Sequence, residues 1–236
     1  MFARLVNNQD IISKHKPILF SKPKSIDTVI PVSGNKHDDG PWVVLLQDFL
    51  SFEECDTLIE LANEQGYHQE DDEERTSYNA WCDVGCDEHD TTRNIMTRIA
   101  QLLHLSSNGD GGEDHIEHLQ IVRYQEGQYY AEHHDFVDTD VLVPPGPRIV
   151  TVFLYLNHHD DNGGGGGEMR FTELGMDVVP KKGAALVWPN VLNENPMARD
   201  ERTMLMTTPV RKGTEYGAYA WIHLRDYRGP AATGCA

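Results

Sequence analysis

Tyr124-Gln-Glu-Gly-Gln-Tyr-Tyr-Ala-Glu-His-His-Asp135 is the stretch on which the reading of this chain turns. Its chemical core is His133-x-Asp135. On an extended strand, residues two apart project to the same face, so an imidazole and a carboxylate are aimed at one spot. Those two groups are two thirds of the 2-His-1-carboxylate set that holds a non-heme Fe(II) and leaves coordination positions open. His-x-Asp is a short pattern in a chain with 12 His and 38 acidic residues, so its flanks must give it weight.

Working outward, the chain from about residue 116 reads as strands. Ile116 to Tyr124 leads into the His133-x-Asp135 strand, and Pro144-Pro-Gly-Pro147 breaks the pattern. Ile149 to Leu156 is a near-continuous β-branched and aromatic run, as expected of a strand covered on both faces. Ala184 to Trp188, Met204 to Val210 and Tyr216 to His223 supply further strands. Gly163 to Gly167 lacks the Lys-Ser/Thr and helix that a phosphate-cradling loop needs, and reads as a flexible turn at the rim. Upstream, Trp42 to Leu46 is a short strand. Ser51-Phe-Glu-Glu54 is a capping box opening a helix with Phe52, Cys55, Leu58, Ile59 and Ala62 on one face. Asp90 caps a second helix with Ile95, Met96, Ile99, Leu102 and Leu103 buried. Residues 68–90 form an acidic loop, and Ser106 to Asp114 a Gly- and Ser-rich connection. Residues 1–40 read as an extended or poorly ordered arm and 41–236 as a single domain. Two helices followed by about eight strands predict an α+β, mainly β fold: a double-stranded β-helix, or jelly roll, with supporting N-terminal helices.

Composition sets bounds. The 236 residues are 39% hydrophobic and 8% aromatic, ordinary for a folded domain. The net charge of −18 disfavours nucleic acid and anionic membranes and favours a neutral or basic partner. No apolar run is long enough for a membrane segment, and Met1 to Asp10 has no signal-peptide character, so a soluble, untargeted chain is expected. Cys82-Asp-Val-Gly-Cys86 has too few partners for a zinc site.

The flanks of His133-x-Asp135 resemble the catalytic domain of prolyl 4-hydroxylases, in the 2-oxoglutarate- and Fe(II)-dependent dioxygenase superfamily. Leu119-Gln120, Tyr124, Gly127-Gln128, Tyr130, His133 and Asp135 follow that family's order. Arg75-Thr76-Ser77 and Arg98-Ile99-Ala100 match upstream. Arg148, Thr151, Tyr155-Leu156-Asn157, Glu168, Phe171, Pro180 to Gly183, Pro209-Val210, Gly213 and Trp221-Ile222-His223 match downstream. The resemblance covers about residues 41–227.

It implies an oxidoreductase that hydroxylates peptidyl proline in Pro-rich, polyproline II segments, with Fe(II), 2-oxoglutarate and ascorbate. It assigns His133 and Asp135 to the metal, and Tyr124 and Trp221 to the co-substrate pocket. Arg75, Ser77, Arg148 and His223 fall to the substrate groove; core packing for Tyr124 and Trp221, and a strand-end surface charge for Arg148, stay open as alternatives. His134, His158 and His159 match no role and are expected to be solvated. Some family members pair cysteines in this loop, implying a Cys82–Cys86 disulfide and a secretory-pathway setting; two free thiols in a cytoplasmic protein is the other reading. The chain departs from the pattern twice. Aligned without gaps between Pro209-Val210 and Trp221-Ile222-His223, Leu205 takes the place of the distal metal-binding His and Glu215 that of the Lys that holds the far carboxylate of 2-oxoglutarate. At ~4 Å and an effective dielectric of ~20, one unit-charge contact is worth roughly 4 kcal/mol, so replacing Lys by Glu works against a dicarboxylate. The alternative reading is therefore an impaired family member serving as a peptide-binding module.

Overall fold

The computed structural model describes residues 1–37, 39–69, 73–105, 112–158 and 165–235. Two short helices, α1 (Phe2–Asn7) and α2 (Gln9–His15), open the chain, followed by β1 (Pro17–Ser21), β2 (Val32–His37) and β3 (Val43–Leu46). Helices α3 (Phe52–Gln65) and α4 (Asp90–Leu103) bracket the short strands β4 (His68–Gln69) and β5 (Tyr78–Trp81). The rest is mainly strand. First come β6 (Gln120–Gln125), β7 (Tyr130–His133), β8 (Arg148–Tyr155), β9 (Met169–Phe171) and β10 (Met176–Val178). Then follow β11 (Ala185–Pro189), β12 (Val191–Leu192), β13 (Asn195–Arg199), β14 (Leu205–Thr207) and β15 (Thr214–His223), before a last turn of helix, α5 (Arg228–Ala232).

Nine strands form one sheet in the order β2-β1-β3-β11-β8-β15-β6-β5-β4, antiparallel except for β1 beside β2. A smaller sheet, β10-β9-β14-β7, faces it, and β12 and β13 pair separately. Side chains alternate along each strand, so the large sheet serves two cores. Ala218, Ala220 and Ile222 of β15 pack with Cys55, Leu58, Ile95 and Ile99 of the helices. The intervening Tyr219 and Trp221 turn inward to meet Phe171 and Leu205 of the small sheet. This is the jelly roll with supporting helices that the strand pattern predicts, and the site lies between its two sheets.

The helix signals hold with small shifts. Ser51 and Glu54 close the capping box of α3, a device worth about 1 kcal/mol. Phe52, however, is 56% exposed, and Leu61 takes the buried place expected of Ile59. His89 rather than Asp90 caps α4, accepting from the Thr91 amide, while all five expected core residues of that helix are buried. Arg98 of α4 donates to the Phe49 carbonyl at 2.8 Å and forks onto Glu54, tying the two helices together. Cys82 and Cys86 are joined in a disulfide.

Residues 1–40 are not the extended arm that their mixed composition suggests. Leu5 and Val6 are fully buried, Phe2 stacks on Trp42 with ring centroids 6.1 Å apart, and β1 pairs in register with β3 along Pro17↔Leu46 to Leu19↔Val44. The apolar residues of α1 and α2 are too few for a conspicuous periodicity, yet they join one core with Leu19 of β1 and Val44 of β3.

Gly217 and Gly166 are sterically required. A Cβ on Gly217 of β15 would collide with the Phe153 ring, which sits edge-on to Tyr155 and Tyr219 in the inner core. Gly166, at φ +76°, brings its backbone against the Pro209 carbonyl, and the neighbouring Gly165 carbonyl accepts from the Arg211 amide at 2.7 Å. Part of the five-glycine run, residues 163 and 164, lies outside the described residues. Leu5→Ala is expected to cost about 2–5 kcal/mol, read as a lowered denaturant midpoint; an unchanged midpoint would remove α1 from the core.

Candidate active site

β7 delivers His133 to the inner face of the small sheet. Its Nδ1 lies 2.8 Å from the Ala131 carbonyl, which can only accept, so Nδ1 carries the proton and Nε2 presents a lone pair. That Nε2 is buried without a hydrogen-bond partner among the described residues. It stands 3.6 Å from Asp135 Oδ1, beyond hydrogen-bond length. The Tyr130 ring stacks on the imidazole at 3.5 Å and 12°, which fixes the ring plane. β7 ends at His133, so Asp135 lies just past the strand, and the two side chains still converge as the alternation predicts.

Asp135 is 3% exposed. Its Oδ2 accepts from Thr151 Oγ1 at 2.7 Å, and Thr151 accepts in turn from Asn190 at 2.9 Å. Burial alone would raise this carboxyl; His133 in its imidazolium form, the Thr151 hydroxyl and the Arg148 charge outweigh it and hold it below the usual carboxylate range. A ligand imidazole with its far nitrogen donated to a carbonyl, beside a carboxylate held by hydroxyl and amide, is the supporting arrangement metal sites use.

The third position is filled by carbon. β14 pairs with β7 so that Leu205 sits directly opposite His133, and directly opposed residues share one face. Leu205 is fully buried in the inner core. Among the described residues, no three His, Cys, Asp or Glu side chains gather closely enough to hold a metal. The orphaned Nε2 and the oriented Asp135 fit Fe(II) as two ligands, and among the described residues the donor set has no third member.

The co-substrate side departs too. Tyr124 of β6 is fully buried and stands in register with Glu215 of β15. Burial pushes its phenol up, and Glu215 adds to the shift, as it does at Tyr155. Both phenols thus sense a carboxylate that is itself 2% exposed. The Tyr124 hydroxyl lies near those of Thr207 and Ser77 without closing a hydrogen bond. A pocket end lined by Tyr124, Tyr155 and Glu215 does not fit the far carboxylate of 2-oxoglutarate as an ammonium would.

The four residues that the resemblance assigns to a groove fall into two polar clusters. Arg75 donates to Ser77 at 3.2 Å and to Gln120 at 2.6 Å, with its guanidinium 4.6 Å above the Tyr130 ring. Arg148 stacks over Trp221 at 3.8 Å and forks onto Glu117 at 2.5 and 3.0 Å. His223 bridges the same carboxylate, 2.7 Å, and the Gly146 carbonyl, 2.6 Å. Arg148 is therefore half-buried and held between Glu117 and Trp221 rather than a free surface charge. Sequence reading misses Glu117 and Asn190, because each is matched only with partners distant in the chain. His134 is not solvated: its Nδ1 accepts from the Phe136 amide at 2.8 Å, and its Nε2 lies 3.0 Å from the Asp200 carbonyl. His158 is exposed, and His159 lies outside the described residues. A cleft of about 560 Å³ between Phe2, Trp42, Val191 and Pro196 is lined by neither His133 nor Asp135.

Comparisons with known proteins point to one family. The profile of the 2OG-Fe(II) oxygenase superfamily matches residues 119–223. The chain is 32% identical over 214 residues to probable prolyl 4-hydroxylase 6 of Arabidopsis thaliana, spanning 79% of this chain and 70% of the relative. The 2OG complex of the viral collagen prolyl hydroxylase from Paramecium Bursaria Chlorella virus-1 superposes with a TM-score of 0.63 at 30% identity, over 77% of this chain and 95% of that one. A Pseudomonas putida prolyl-4-hydroxylase shares the fold at a TM-score of 0.57 and 18% identity, over 95% and 100% of the two chains. The matched profile and these neighbours define a 2OG-Fe(II) oxygenase jelly roll. Within that superfamily, this chain belongs to the prolyl 4-hydroxylase family.

Burial would raise the Glu117 carboxyl, but His223 and Arg148 together lower it below its ordinary 4.5. The folded value lies under the unfolded one, so its stabilisation is present above the ordinary glutamate range and is lost as pH falls through the folded value. Glu117→Gln leaves the half-buried Arg148, and His223 with it, without their carboxylate, at a cost of about 1–3 kcal/mol. Melting curves should show a lower transition for the variant at neutral pH and a smaller further loss on acidification; identical curves would mean that the cluster carries no stability.

Proposed function

We propose that this chain is an Fe(II)- and 2-oxoglutarate-dependent dioxygenase acting on peptidyl proline. The observation that carries the reading is the buried, tautomer-fixed His133 Nε2 facing Asp135 at the centre of a prolyl 4-hydroxylase jelly roll. His133 and Asp135 would hold the iron, and ascorbate would keep it ferrous. The chemistry that iron and 2-oxoglutarate supply when bound is oxidative decarboxylation, in which one oxygen atom of O₂ goes to succinate, the other to the prolyl carbon, and CO₂ leaves.

The chain's own part is positional. Thr151 and Asn190 orient the Asp135 carboxylate; Ala131 and Tyr130 orient His133. Trp221, clamped beneath Arg148, and the Arg75–Ser77–Gln120 cluster shape the groove for a Pro-rich segment, whose preformed extended helix loses little entropy on binding. The net charge of −18 favours peptides with basic flanks, and the Cys82–Cys86 bridge suits an oxidising compartment.

A second reading rests on Leu205 and Glu215: a member that keeps the groove and binds proline-containing peptides without turnover. Mass spectrometry of a Pro-rich peptide incubated with the chain, Fe(II), 2-oxoglutarate and ascorbate separates the two. The first reading expects a gain of one oxygen with succinate released, both lost in His133→Ala and Asp135→Asn. No oxygen gain from the wild-type chain, with gain in Leu205→His/Glu215→Lys, selects the second. In either case Leu205→His should tighten Fe(II) binding by roughly tenfold or more, since a further ligand need supply only ~1.4 kcal/mol.

A further inference from the structure

A dicarboxylate needs a cation at its far end, and the β15 position in register with Tyr124 holds Glu215 instead. A cation reaches the same phenol from another part of the chain. Burial raises the Tyr124 hydroxyl most; the Arg75 charge opposes that rise more strongly than Glu215 adds to it. Arg75 bridges to Tyr130 just ahead of β5 and is 8% exposed. It donates to Ser77 and Gln120, two neutral groups that aim the guanidinium without cancelling its charge. The Tyr124 hydroxyl lies near those of Ser77 and Thr207. The Tyr124 and Thr207 hydroxyls are both buried without a hydrogen-bond partner among the described residues. The Tyr219 hydroxyl is a third such donor, on a ring 5.8 Å from the guanidinium. Buried polar groups are rarely left unmatched, and a carboxylate, which only accepts, takes hydrogen bonds from hydroxyls and a guanidinium together.

We infer that Arg75 supplies the missing cation: it grips the far carboxylate of 2-oxoglutarate, with the Tyr124 and Thr207 hydroxyls beside it, and so selects a dicarboxylic keto acid despite Glu215. The inference rests on the 2-oxoglutarate reading above and deepens it. The reach suits the role. The Tyr130 ring contacts both the His133 imidazole, at 3.5 Å, and the Arg75 guanidinium, at 4.6 Å, so the metal ligand and the cation share one neighbour and lie within a small molecule's length. The chemistry suits it as well. A guanidinium fits a carboxylate with two parallel N–H···O bonds and keeps its charge when buried. Glu215 remains an opposing charge, which weakens the grip without removing it.

The test measures binding rather than turnover. Two keto acids are titrated calorimetrically, without oxygen, into the full chain with Fe(II) present: 2-oxoglutarate, and 2-oxopentanoate, which has the same five-carbon chain but no far carboxylate. The wild-type chain should bind 2-oxoglutarate about tenfold tighter. Arg75→Gln should lose that preference by weakening 2-oxoglutarate alone, a pattern that general loss of structure does not give. Glu215→Gln should widen the preference, since it removes the opposing charge, and it keeps the test alive if Arg75→Gln does not fold. Equal binding of the two acids by the wild-type chain overturns the anchor and leaves iron and a keto acid in place. So does an unchanged preference in a folded Arg75→Gln, or one that Glu215→Gln leaves the same or narrows. No binding of either acid by the wild-type chain overturns the 2-oxoglutarate reading, and the anchor with it.

Discussion

The antiparallel pairing of β7 with β14 is the constraint on which the rest of the site depends. It sets His133 opposite Leu205 and turns both side chains into the space between the sheets. A slip of one residue would send His133 to the outer face and dissolve the contact with Asp135. The inner core guards against that slip: Leu205 packs with Phe171, Trp188 and Trp221, and Gly217 admits the Phe153 ring that no larger residue would allow. Metal chemistry and hydrophobic packing are thereby fixed by one register. Leu205 plays a part in both, as the carbon that packs the core and as the ligand that is missing.

The polar architecture follows the same economy. Arg148 and His223 share Glu117, Arg75 is held by Ser77 and Gln120, and Asp135 by Thr151. These clusters leave the groove stiff, its cations oriented before any peptide arrives. Pre-organisation of this kind reduces the entropy lost on binding. It also explains how the site tolerates charge: Glu117 is bonded by both Arg148 and His223, and Arg75 by Ser77 and Gln120, the condition under which such groups are not ruinous.

Much of this was legible in the chain. The β-branched run at Ile149 to Leu156, the capping box at Ser51 and the spacing of His133 and Asp135 are local signals, and local signals survive into the fold. The register of late strands was legible as well, because Pro209-Val210 and Trp221-Ile222-His223 bracket Leu205 and Glu215 without a gap. What escaped was non-local. Leu5 and Val6 are buried only because β1 joins β3; Glu117 matters only because Arg148 and His223 come from other strands; His134 is held by a carbonyl far along the chain. Period and composition carry no trace of such partnerships.

The central proposal is that His133 and Asp135 would hold iron in this chain without a third ligand among the described residues, leaving the metal free to take up a keto acid. Adding Fe(II) and then 2-oxoglutarate to the wild-type protein without oxygen, while following the weak visible charge-transfer absorption of the chelate, tests it most directly. The expected result is a saturable band that is absent in His133→Ala. A wild-type protein that gives no band, beside a Leu205→His/Glu215→Lys variant that does, would contradict it.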